Sequence, residues 1–115
     1  MATFTKVKLS GSTNGRGIAV AATATLGTTI HTAHATALDE IWLYANNIHS
    51  SAVVLTVEFG GVTATSDLIQ QSIAVTPSGL VLVCAGLLVT GSVVVTAFAG
   101  TANKIELFGF VNRIA

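Results

Sequence analysis

Three histidines, five carboxylates and one cysteine are the side chains through which this 115-residue chain could do chemistry. His31-Thr32-Ala33-His34, with His49 further along, is the strongest candidate for a metal site, because neighbouring imidazoles are the usual beginning of a zinc centre. The surrounding residues favour an extended strand, and an i, i+3 pair leaves a strand from opposite faces. No carboxylate motif of metallohydrolase type accompanies the pair. Neither chelation within one chain nor a metal or water shared by His31, His34 or His49 on an oligomer axis is therefore expected. Asp39, Glu40, Glu58, Asp67 and Glu106 would supply a glycosidase-like pair only if two of them converged. Each falls at a strand end or on a polar alternation, which predicts solvated carboxylates or salt bridges between subunits. The glycines from Gly11 to Gly17 lack the Lys-Ser/Thr of a phosphate-binding loop and read as turn chemistry. Cys84, inside Gly79-Leu80-Val81-Leu82-Val83-Cys84, reads as a small buried hydrophobe with no base nearby in sequence. No catalytic residue, metal or other cofactor is expected, and the chain reads as a non-enzyme.

The elements that would hold these groups are short β-branched runs, punctuated by Gly, Asn and Ser about every ten residues, as in sandwiches and barrels. Eight such runs are expected, near 4–9, 17–24, 28–32, 40–46, 53–59, 67–75, 80–84 and 92–99, with a closing run over 104–112. One of them could be only a linker. Asn14-Gly15 suits the positive φ angles of a type I′ turn, which predicts that the first two strands pair around it. Period two places Ile41, Leu43 and Ala45 on one face and Trp42 and Tyr44 on the other, so both faces of that strand are largely apolar. Val93 to Ala99 and Ile105 to Val111 carry apolar residues at successive positions, the pattern of strands hidden on both sides. A neighbouring subunit or another protein is expected to cover the second face. The fold expected is all-β, an antiparallel β-sandwich or jelly-roll of about eight strands, with residues 1–115 forming one domain.

Charge is the scarcest property of the sequence. Only five basic and five acidic residues are present, 9% of the chain, against 51% hydrophobic residues and a mean hydropathy of +0.76. A folded monomer of this mass exposes roughly 5,900 Å², more than ten charged side chains can cover. The excess apolar surface predicts assembly. Zero net charge leaves no electrostatic footprint for phosphate backbones or anionic lipid, so neither nucleic acid nor membrane is an expected partner. From Leu68 to Asn103 there is no charged residue or histidine, but the stretch is interrupted by Gly86, Gly91 and Ser92 and is rich in valine and threonine. Strands and a turn fit it better than a membrane helix. The opening Met1-Ala2-Thr3-Phe4-Thr5-Lys6 reads as the start of a mature chain made in a cytoplasm.

Three stretches carry a resemblance. Lys6-Val7-Lys8-Leu9-Ser10-Gly11-Ser12-Thr13-Asn14-Gly15-Arg16-Gly17-Ile18, Asp39-Glu40-Ile41-Trp42-Leu43-Tyr44-Ala45-Asn46-Asn47, and Thr101-Ala102-Asn103 with Gly109-Phe110-Val111-Asn112-Arg113-Ile114 resemble small virion structural proteins of tailed bacteriophages. The likeness implies a capsid decoration, or cement, protein: a homo-oligomer, expected as a trimer, on the outer surface of a virion assembled in the host cytoplasm. Its partner would be the major capsid protein. It implies no catalytic or ligand-binding residues. Trp42, Tyr44, Phe108 and Phe110 are the expected interface anchors, since buried aromatic side chains dominate such contacts. A tail-associated or fibre protein binding a host glycan is the alternative, with Trp42, Tyr44, Phe59, Phe98, Phe108 and Phe110 as the aromatic residues that could line its sugar face, although core and interface packing is the favoured reading of them.

Overall fold

The computed structural model describes residues 2–75 and 79–115. Among these residues nine strands form: β1 (Phe4–Lys8), β2 (Ile18–Ala19), β3 (Thr28–Thr32), β4 (Leu38–Asn47), β5 (Val53–Phe59), β6 (Leu68–Ile73), β7 (Val81–Val89), β8 (Val94–Ala99) and β9 (Ile105–Ile114). They make two antiparallel sheets arranged as a β-sandwich, and the described residues contain no helix. The first sheet runs β1-β9-β4-β7, with β2 also on β9, and the second runs β3-β8-β5-β6. In β4 the alternation is strict: Ile41, Leu43 and Ala45 are buried between the sheets, and Trp42 and Tyr44 look outward. Leu107 and Val111 of β9 join that inner face, and Ile30, Leu55, Val57, Val95 and Ala97 oppose it from the second sheet. Asn47 stitches the layers at one end: its side-chain amide donates to the Ser51 and Ile73 carbonyls, and its oxygen accepts the His49 N–H.

The Asn14-Gly15 turn forms as expected, with φ of 56° and 83° and an Arg16 N–H donated to the Thr13 carbonyl at 3.0 Å. The pairing expected around it does not form. β1 and β2 lie in line along β9, β1 against residues 110–114 and β2 against 106–107. The reason lies in the residues before the turn: Leu9 is buried in the core, and Gly11 N–H donates to the Ile30 carbonyl of the second sheet. The chain therefore enters the turn away from β1, and the ten-residue β9 has length enough to accept both strands. β2 is also shorter than the 17–24 run expected. After Val20 the backbone changes sheet, bonding Ile105 and Asn103 at Val20 and then Ala99 at Ala22.

The segment that follows folds over the outer face of the second sheet, where Thr25 and Gly27 reach Glu58 on β5. The outer face of β8, expected to need a second protein, is thus covered in part by the chain itself. β7 extends well past Cys84 because Gly86, with φ of 71°, is accommodated as a bulge: Ile41 pairs with Leu87 and Trp42 with Ala85, leaving Gly86 as the extra residue. The uncharged stretch from 68 to 103 is occupied by β6, β7 and β8. Among the described residues, no helix is long and apolar enough to cross a membrane.

Candidate functional site

The four aromatic residues singled out above lie together on the outer face of the first sheet. Antiparallel register sets Trp42 opposite Phe110 and Tyr44 opposite Phe108. The Trp42 and Phe110 rings stack at a centroid distance of 6.2 Å and an interplanar angle of 12°, within the range for favourable offset pairs. Lys6 of β1 places its ammonium 4.7 Å from the Phe110 centroid, a cation–π contact. Glu40 fixes the indole from the other side, accepting Trp42 Nε1–H at 2.9 Å and the Asn112 side-chain N–H at 3.0 Å. Those two bonds hold the Glu40 carboxyl below its ordinary range.

Apolar side chains extend this platform in both directions. Leu82 stands opposite Tyr44 and Leu88 opposite Glu40 on the edge strand β7, while Leu38 and Phe4 flank Ile114 at the far end. Leu88 is 54% exposed and Phe4 70%. A sandwich normally presents polar residues on that face. Here the outward positions of β4, β7 and β9 are mostly aromatic or aliphatic, with Glu40, Asn46, Glu106 and Asn112 as the polar exceptions, and Lys6 and Lys8 stand beside them on β1. A second apolar patch lies on the other sheet, where Leu26, Val62 and Val94 rim an open groove of about 410 Å³.

The titratable groups are placed differently from expectation. Asp39 and Glu58, expected to be solvated or to pair across subunits, are fully buried within the chain. Asp39 accepts Arg113 Nε–H at 2.8 Å and Nη2–H at 3.0 Å, a His31 Nε2 contact at 2.7 Å, and the His34 N–H at 3.1 Å. Burial by itself would raise this carboxyl, but the bonds from Arg113, His31 and the His34 amide, with the Arg113 charge, outweigh it and hold it at about 2. Ser10, His31 and Asp39 superficially resemble a nucleophile–base–acid relay. The arrangement does not permit it: His31 Nδ1 accepts the Ser10 backbone N–H at 3.1 Å, the Ser10 hydroxyl instead accepts the Thr32 N–H, and the ring is fully buried. With Nδ1 an acceptor, the ring proton sits on Nε2 and is donated to Asp39.

His34 accepts the Thr36 and Ala37 N–H groups, and His49 the Ser51 N–H, so each caps its own turn. No three His, Cys, Asp or Glu side chains among the described residues are grouped to hold a metal ion. Cys84 is buried against the core, which pushes its thiol up to about 11 and leaves the unreactive form dominant. Arg113 and its pairing with Asp39 escaped sequence reasoning. Their distance along the chain leaves no local signal, and only the register of β4 with β9 brings them together.

No family model, curated protein or solved structure matches this chain.

Proposed function

We propose that this chain is a non-enzymatic structural subunit of a bacteriophage virion, a capsid decoration protein that forms a trimer and binds the major capsid protein across subunit joints. The observation that carries the reading is the apolar outer face of the first sheet, continuous from Phe4 and Leu38 through Trp42, Phe110, Tyr44 and Phe108 to Leu82 and Leu88. Burying such a face removes large rings and leucines from water, and multiplying a modest contact over many copies stabilises a shell. The β7 edge adds to it. Sheet edges are usually blunted by charge, and this one carries none. Its two register shifts, at Gly86 and Val83, make continuous strand pairing across the edge a poor fit, so side chains rather than backbone would carry the contact. The Leu26, Val62 and Val94 rim offers a separate surface, as a trimer that also grips a shell requires. The resemblance in the three sequence stretches supplies the phage assignment.

The purified protein is expected to run as a trimer by light scattering and to attach to preformed heads lacking it. Leu82→Glu with Leu88→Glu should shift the mass toward monomer. Trp42→Ala or Phe110→Ala should weaken association by roughly tenfold or more, the usual cost of removing an aromatic anchor. A wild-type monomer that ignores heads would overturn the proposal, and labelling of the tail instead of the head would move the protein to the glycan-binding alternative.

A further inference from the structure

We infer that the groove beneath the Asn14-Gly15 turn is a binding site for an uncharged carbohydrate. It lies at the end of the aromatic row, has a volume of about 570 Å³, and is lined by Thr13, Arg16, Gly17, Ile18, Glu106 and Phe108 among others. That volume falls within the range of small-ligand sites. A sugar on the Phe108 ring and a partner docked over that ring would exclude one another, so the groove is open only where this end of the first sheet is uncovered.

One wall is prebuilt by the turn. Ser12, itself buried, donates its hydroxyl to the Arg16 carbonyl at 2.6 Å, and Lys8 Nζ donates to the Ser12 carbonyl at 2.9 Å. Gly17 sits directly against the Phe108 ring, where a Cβ would come within 2.6 Å of Cζ. A side chain there would displace the ring or lift the turn. The wall and the aromatic floor are therefore fixed relative to one another, the preorganisation that lowers the cost of binding.

The charges supply the second argument. Arg16 and Glu106 line the same groove, yet they form no ion pair, and among the described residues the Arg16 guanidinium has no hydrogen-bond partner. Glu106 receives only a long 3.5 Å contact from the Asn46 side chain. A cation and an anion left apart across a groove suit a ligand offering both donors and acceptors with no net charge. The pyranose ring does this: its hydroxyls donate to Glu106 and accept from Arg16 and Thr13, and its C–H face lies on the Phe108 ring. An anionic sugar would meet Glu106, and a cation would meet Arg16.

The test is titration of the ¹⁵N-labelled protein with methyl glucoside, methyl galactoside, N-acetylglucosamine and maltose, beside sialyllactose and phosphocholine. At least one neutral sugar is expected to bind near the millimolar range, moving the Arg16, Gly17 and Glu106 amides and the Phe108 ring protons. Arg16→Ala and Glu106→Gln should each weaken it by roughly tenfold, with the amide spectrum otherwise native. The trimer mass and head attachment should not change in these variants, so failure here is separable from failure of the structural role. No perturbation by any neutral sugar at about 50 mM, equal binding in both variants, or preference for sialyllactose or phosphocholine would overturn the assignment.

Discussion

Asp39→Ala is expected to lower unfolding free energy by about 3 kcal/mol, the scale for removing one partner of a buried charged cluster. Arg113 is 27% exposed and can turn its guanidinium to water, but His31 and the His34 amide are left with donors facing a carboxylate that is gone. Asp39→Asn keeps an acceptor oxygen and should cost less. Arg113→Ala in each background closes a double-mutant cycle, and strong coupling is expected because the two fork bonds leave together. The pH dependence has a fixed sign. Asp39 is depressed from 3.8 to about 2, so the folded state binds fewer protons than the unfolded chain as pH falls. The stabilisation is whole above pH 4 and disappears as pH drops toward 2, amounting to about 2 kcal/mol from this group. Glu58, also held below its ordinary range, acts in the same direction. Urea midpoints from pH 6 to pH 2, at one protein concentration, measure it. An Asp39→Asn protein with the same acid-side slope as wild type would show that the network does not set it.

Much of the strand pattern is legible in local sequence because its signals are local. The Thr28–Thr32 and Val53–Phe59 strands match the β-branched runs to the residue, and the Asn14-Gly15 turn takes the φ angles its residues prefer. Period two in β4 places Trp42 and Tyr44 on one side. What local sequence does not carry is which strands become neighbours. The juxtaposition of Trp42 with Phe110 needs the β4–β9 register, and the groove between Arg16 and Glu106 needs β2 beside β9. The same limit explains the misplaced carboxylates. Asp39 opens a strand and Glu58 stands on an alternating polar face, positions that ordinarily meet solvent. Each is buried by a segment remote in sequence: the end of β9 for Asp39, the loop before β3 for Glu58. Gly86 misled in the opposite sense, since a glycine in an apolar run marks a strand end or a bulge equally well.

Glu58→Ala is expected to cost about 3 kcal/mol and to loosen the loop before β3 selectively. The carboxylate is buried without a cation and satisfied entirely by neutral donors: Thr25 Oγ1–H at 2.7 Å, Gly27 N–H at 2.7 Å and Thr96 Oγ1–H at 2.6 Å. Burial would raise this carboxyl, but the bonds from Thr96, Thr25 and the Gly27 amide outweigh it and keep it ionised. Truncation removes three charge-assisted bonds and leaves the Gly27 N–H without its acceptor. Glu58→Gln should be far milder, because its oxygen still accepts from Gly27 and Thr96 while the amide turns its N–H toward the Thr25 hydroxyl, which rotates to accept. The difference between the two variants isolates the geometry of the clamp from its charge. Hydrogen exchange should locate the effect: amides of residues 22–28 lose protection in Glu58→Ala, while β4 and β9 keep theirs. Because that loop is also what covers the outer face of β8, its release would bare Thr96 beside Val94 and free Leu26 from the rim. Glu58→Ala should therefore promote aggregation through the second sheet, even with the outer face of the first sheet unchanged. Unchanged exchange at residues 22–28, or a Glu58→Gln variant as unstable as Glu58→Ala, would count against the carboxylate as the clamp.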